Sequence, residues 1–196
     1  MVRACGVSEA GRVRKTNEDA FVADTDARLF AVADGMGGHS AGEVAARLAI
    51  EAVTAFMRRP AEGSADAASD GDSSLSYHAL RLRTALQFAN RRVVSAAAGV
   101  PGYEGMGSTI VGLLLHESAM TVAHVGDSRL YLVADGGIEQ LTRDDSWVET
   151  LLAQNPALSD FKPVVGPEDP SRLTAPTPHV DGAIVIQDGF CGLFDF

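Results

Sequence analysis

A chain of 196 residues, 46% of them hydrophobic, is long enough to bury the core of one domain and too apolar to be disordered. A formal net charge of −10 argues against nucleic acid or an anionic membrane as partner. Two cysteines, Cys5 and Cys191, make no disulfide framework; no export signal is visible and no apolar run spans a bilayer, so the expectation is a cytoplasmic protein.

In chain order, residues 3–7 suggest a strand, and residues 19–34 a β-hairpin. Asp19 opens one apolar run and Asp34 closes the next, with Thr25-Asp26-Ala27-Arg28 between them as the turn. If Asp24 pairs with Leu29, Asp19 falls opposite Asp34, and directly opposed residues have Cβ atoms roughly 4.5–5.5 Å apart. Ser40 and Glu43 have capping-box spacing at the head of a helix. Its polar positions, Glu43, Arg47, Glu51, Thr54 and Arg58, share one face, and Pro60 stops it. Small polar residues over 61–74 predict a surface loop. A second helix over 76–98 carries a buried stripe at Leu75, Ala79, Leu82, Leu86, Ala89 and Val93.

The period then falls to two. Strands are expected at 108–115, 120–125, 128–133 and 138–141, joined by a two-residue hairpin turn at Gly126-Asp127 and a three-residue turn at Asp135-Gly136-Gly137. A short helix over 145–153 follows, with Trp147 packing it onto the sheet. Residues 154–182 are proline-rich without a period and are expected to be irregular; 183–187 read as a last strand. Grouped strands and separate long helices favour an α+β fold.

Glu18, Asp19, Asp34, Asp127 and Asp188 each stand where a strand begins, ends or turns. Two facing carboxylates repel unless a cation lies between them, and carboxylate oxygen suits Mg²⁺ or Mn²⁺. No His/Cys spacing suits zinc. Bland readings compete at single positions. Asp127 and Asp188 each precede or follow a glycine as turn residues do. The loop at 35–39 lacks the lysine and spacing of a nucleotide-binding loop. His39 could serve as a general acid or simply lie on the surface before the helix. Arg14 could clamp a phosphate or be a solvated arginine. His124, in an apolar strand, reads as a satisfied core histidine, and nothing near Cys5 marks it as a nucleophile.

The ordered motifs Arg14-x-x-x-Glu18-Asp19, VADGMGGHSAGEVA (32–45), GMGST (105–109), HVGDSRLYL (124–132) and LTRDDSWV (141–148) resemble the metal-dependent PPM-type (protein phosphatase 2C-like) enzymes in their bacterial form. The resemblance covers residues 1–153. It implies a β-sandwich of two mostly antiparallel sheets flanked by helices on both sides, in α-β-β-α layers. The reaction would be hydrolysis of phosphoserine or phosphothreonine on proteins by a metal-activated water, with no phosphoenzyme. Asp34 would bridge two Mn²⁺ or Mg²⁺ ions, and the carbonyl of Gly35 would help hold one. Glu18 and Asp19 would serve the other, partly through water. Arg14 would bind the phosphate, and Asp127 matches a position for a weaker third ion; with His39 read from its position as a general acid, the catalytic candidates are Arg14, Asp34 and His39. Asp188 matches the aspartate of a late Ser-Asp-Gly motif, with Gln187 in place of the serine.

The family pattern continues past Asp188 to a closing strand with a further metal-binding aspartate, and residues 154–182 depart from it. The expectation is therefore a single domain over 1–196, incomplete at its C-terminus, with closing strands missing. Two functions follow: a phosphatase of weakened activity, or a catalytically inactive binding or regulatory module on the same fold. The implied partner is a phosphorylated protein, the product of a serine/threonine kinase in a signalling context. The chain itself is expected to be a monomer.

Overall fold

The computed structural model describes residues 2–12, 15–38, 40–60, 75–117, 119–134, 136–145 and 183–187. Strands β1 (Asp19–Asp24) and β2 (Leu29–Met36) form the first hairpin, followed by helices α1 (Ala41–Met57) and α2 (Tyr77–Gly99). Then come β3 (Gly107–Ser108), β4 (Ile110–His116), β5 (Ala119–Val125), β6 (Arg129–Ala134), β7 (Gly137–Gln140) and β8 (Ala183–Gln187). One antiparallel sheet has the order β1-β2-β4-β5, with β3 also on β2; a second has the order β7-β6-β8.

Alternation along β2 builds the layers, because successive side chains leave a strand on opposite faces. Leu29, Ala31 and Ala33 face α1 and α2, in one core with Ala45, Ala49, Val53, Leu82, Leu86 and Ala89. The alanines of α1 let its backbone sit close to the sheet. Phe30 and Val32 face the other way, into a second core with Val111, Leu113, Met120 and Leu130 between the sheets. By the same alternation Asp34 lies on the inter-sheet face, at the end of the strand. This is the expected antiparallel α+β sandwich. Among the described residues both helices cover the same sheet, and no helix lies on the outer face of the second.

Local chemistry fixes the element ends. Asp24 Oδ1 accepts from Asp26 N–H (3.1 Å) and Ala27 N–H (2.9 Å), folding the hairpin turn. Arg58, just past α1, grips Asp24 Oδ2 with two nitrogens. The hydrogen bond from Ala27, with the Arg58 contact next, holds the Asp24 carboxyl below the usual range. Arg81 of α2 caps the C-terminal end of α1, donating to the carbonyls of Met57 and Arg59. Ser76 caps α2, accepting from Ala79 N–H at 3.2 Å.

Four expectations are corrected. Residues 3–7 form no strand among the described residues: Val2, Ala4 and Gly6 are half-buried while Arg3, Cys5 and Val7 are exposed, so the segment keeps the alternation of a strand without being one there. Periodicity decides which residues face inward, but only an adjacent edge makes a strand. Ser40 occupies the cap position of α1 without a side-chain capping bond, so the capping box does not form. Gly126-Asp127 is not a hairpin turn: β5 and β6 belong to different sheets, and Gly126, at φ 98°, turns the corner between them. Ala134 pairs with Gly137, so the β6–β7 turn is one residue shorter than expected. The expected loop at 61–74, the helix at 145–153 with Trp147, and the irregular stretch at 154–182 lie outside the described residues.

Candidate metal centre

The β1–β2 register is Asp24 opposite Leu29 and Asp19 opposite Asp34, as the turn position predicts. Gly35 N–H donates to Glu18 C=O at 3.0 Å. Glu18–Gly35 is therefore a hydrogen-bonded rung, and Asp19–Asp34 beside it is the closer, non-hydrogen-bonded kind, with Cα atoms roughly 4.5 Å apart. The two carboxylates share a face. Asn17 Oδ1 accepts from Asp19 N–H at 3.1 Å, and Asn17 Nδ2 donates to Ser8 Oγ at 2.6 Å, anchoring the entry to β1.

Glu18 and Gly35 meet at the first turn of α1. A Cβ added to Gly42 would stand 2.6 Å from Glu18 Oε1 and 2.9 Å from the Gly35 carbonyl oxygen. A Cβ on Gly35 would stand 1.8 Å from Gly42 O. The two glycines thus let strand and helix touch backbone to backbone. A side-chain and a main-chain oxygen converge on the space that the missing side chain leaves open. The helix N-terminus favours the negative charge of Glu18 there.

Asp34 is held through its backbone. Its N–H donates to Thr109 Oγ1 at 2.9 Å, and its carbonyl accepts from Thr109 N–H at 2.8 Å and from Ser108 Oγ at 3.0 Å. Its carboxylate Oδ1 is buried without a hydrogen-bond partner. An ionised oxygen left in that state is expensive unless a cation compensates it. That orphan, and the oxygens converging at Gly42, fit a hard divalent ion. Among the described residues no three His, Cys, Asp or Glu side chains gather closely enough to hold an ion by themselves. Main-chain oxygen, water or residues outside the described set would have to complete any coordination.

The structure thus sets Asp19 opposite Asp34 on one face of the hairpin, and Glu18 with Gly35 against Gly42 at the first turn of α1. Asp127 stands exposed at the corner between the sheets, next to Gly126, which packs on Thr109. Arg14, His39 and Asp188 lie outside the described residues. His124 is not the satisfied core histidine expected: its Nδ1 is buried without a hydrogen-bond partner, 3.9 Å from Asp145 Oδ2. Asp145 also fastens the corner, its N–H donating to Gly126 O at 3.0 Å. Close by, Arg129 binds Asp144 through Nε and an NH group at 2.6–3.2 Å. The bond to Asp144, then that to Tyr131, raises the Arg129 pKa further.

Sequence reasoning gave no role to Gly42, Ser108, Thr109 or Ser128. A glycine in the first turn of a helix is a usable signal for close approach. The hydroxyls gave none: Asp34, the partner of Ser108 and Thr109, is about 75 residues away in sequence, and Ser128 meets Thr109 from 19 residues away.

The family described as protein phosphatase 2C matches residues 9–162. The chain is similar to the serine/threonine protein phosphatase PstP of Mycobacterium tuberculosis, with 38% identity over 78% of this chain and 27% of that protein. It is 34% identical to the serine/threonine phosphatase Stp of Listeria monocytogenes over 74% of this chain and 55% of that protein. The chain thus spans about a quarter to about half the length of these relatives. Among solved structures, Mycobacterium tuberculosis PstP/Ppp superposes with a TM-score of 0.64 at 31% identity, covering 95% of this chain and 73% of that one. The catalytic domain of PstP in complex with two manganese ions gives 0.62 at 36% identity, covering 78% and 60%.

Proposed function

Because the chain belongs to the protein phosphatase 2C family, we propose that it is a metal-dependent phosphatase acting on phosphoserine and phosphothreonine in proteins. The observation that carries this is the Asp19–Asp34 rung, with Asp34 Oδ1 buried and unpartnered. Asp34 would hold Mn²⁺ or Mg²⁺, as the manganese complex of PstP suggests. The Gly35 carbonyl would help hold one ion of a pair, and Glu18 and Asp19 would serve the other, partly through water. Asp127 and Asp188 would add ligands, Asp127 for a weaker third ion. When bound, such ions would lower the pKa of a coordinated water towards neutrality and polarise a phosphoryl oxygen.

The chain's own residues do the rest. Asp19 and Asp34 present fixed negative charge on one face of a rigid hairpin, so little reorganisation is needed. Glu18 is braced at the α1 N-terminus. Arg14 binds the phosphate through its paired guanidinium nitrogens. His39 donates a proton to the departing serine or threonine oxygen. We take residues 1–196 as one domain, monomeric and cytoplasmic, acting on the products of a serine/threonine kinase. Among the described residues no helix is long and apolar enough to cross a membrane.

One observation favours a second reading, a weakly active or inactive phosphoprotein-binding module: no three described side chains form an ion cage alone. Manganese-dependent hydrolysis of a phosphopeptide separates the two. Turnover that chelator abolishes and Asp34→Asn lowers by several orders of magnitude supports the enzyme. Phosphopeptide binding without turnover supports the module, and turnover indifferent to both treatments rejects the proposed mechanism.

A further inference from the structure

Asp34 and Thr109 face one another across β2 and the β3–β4 strand line, with β2 paired to β4 at Val32–Val111 and to β3 at Gly35–Ser108. An ordinary hydrogen-bonded antiparallel rung exchanges two N–H···O=C bonds. Here Thr109 N–H donates to Asp34 C=O at 2.8 Å, but Asp34 N–H goes to the Thr109 hydroxyl at 2.9 Å. The Thr109 carbonyl lies instead 2.7 Å from Ser108 Oγ, whose single hydrogen it shares with the Asp34 carbonyl. A side-chain oxygen therefore does the work of a main-chain carbonyl at one rung, and the strand line is interrupted there.

That hydroxyl is itself fixed from the second sheet's side. Thr109 Oγ1 and Ser128 Oγ share a hydrogen at 2.6 Å, and Ser128 is buried. The Thr109 methyl packs on Gly126, where an added Cβ would stand 2.8 Å from Cγ2. Oxygen and methyl both held, the side chain has one rotamer available. The Asp34 backbone is thereby clamped at its N–H and its C=O, while Oδ1 of its carboxylate has no hydrogen-bond partner.

We propose that Thr109 is a positioning residue: its hydroxyl, set by Ser128, fixes the Asp34 backbone and so aims the carboxylate at the divalent ion. This rests on the reading of Asp34 as a metal ligand. Partners that orient a ligand typically contribute about ten- to a hundredfold in metal affinity.

The test is calorimetric titration of the purified chain with Mn²⁺, alongside urea unfolding in chelator. Thr109→Val keeps the shape and removes the hydroxyl; Thr109→Ser keeps the hydroxyl and removes the methyl. The expected result is Mn²⁺ binding about ten- to a hundredfold weaker in Thr109→Val, with Thr109→Ser restoring it to within a few-fold. A purely structural role would move the unfolding midpoint in chelator and leave Mn²⁺ affinity alone, and that result overturns the proposal. If Thr109→Val does not fold, Ser128→Ala decides: several-fold weaker Mn²⁺ binding supports the proposal, and wild-type affinity overturns it. Absence of Mn²⁺ binding in the wild type overturns this proposal together with the metal-dependent function. Wild-type binding matched by Thr109→Val overturns the positioning role alone.

Discussion

Gly35→Ala tests the close approach on which the site is built. Gly35 has no left-handed φ, so alanine can adopt its backbone, and the whole effect is steric. The added Cβ would stand 1.8 Å from Gly42 O, 2.3 Å from its carbonyl carbon and 2.9 Å from its Cα. All three are backbone atoms, so no side chain can swing away. Restoring a contact of 3.5–4.0 Å would push the first turn of α1 back by roughly 2 Å. The expected cost is about 3 kcal/mol, the upper end of overpacking penalties. For a chain of this length that lowers the thermal midpoint by about 6–12 °C. The assay is thermal unfolding by circular dichroism in chelator, so that lost metal binding does not contribute. Gly99→Ala is the control: it ends α2 with nothing within 4 Å of an added Cβ. It should gain about 0.5–1 kcal/mol from helix propensity. Equal midpoints for Gly35→Ala and wild type would refute the packing of α1 on the end of β2.

Other perturbations have separate causes. Arg81→Met keeps the aliphatic stem but strips the Met57 carbonyl of its 2.8 Å donor; urea denaturation should show a loss of about 1–3 kcal/mol, with α1 unfolding no earlier than the rest. Arg28 sits at φ 54° in the hairpin turn; Arg28→Gly should raise stability by roughly 0.5–1 kcal/mol, measured as a higher urea midpoint, because glycine tolerates that backbone. His78 stacks on His116 with centroids 3.9 Å apart and rings 6° from parallel. Burial, then the charges of His116 and Arg81, lower the His78 pKa against an opposing pull from Glu117, while Tyr77 meets the ring edge-on. The folded chain then resists a proton that the unfolded chain accepts. The stability contributed by neutral His78 is complete above the ordinary histidine value of 6.5 and falls as the pH drops through and below it. Urea midpoints from pH 7.5 to 5 should converge between wild type and His78→Phe at the acid end; a pH-independent gap between them would contradict this.

The first hairpin and both helices were legible because their determinants are local. Asp24 folds its own turn through Asp26 and Ala27, and turn position plus a two-residue period sets the register that puts Asp19 opposite Asp34. The apolar stripes of α1 and α2 need no knowledge of what covers them. The sequence could not say that β6 leaves the first sheet at Gly126-Asp127, because a glycine turn looks the same whether the next strand folds back or crosses to another sheet. Nor could it say that residues 3–7, alternating as a strand does, form no strand among the described residues.

The amino-acid order by itself thus determined which carboxylates face each other, since that follows from turn chemistry and a fixed side-chain period. Only the tertiary structure decided how they are held. Gly35 against Gly42, Thr109 against Asp34 and Ser128 behind Thr109 are contacts between elements distant along the chain. Such contacts arise from the mutual packing of sheet and helix, which no local pattern encodes.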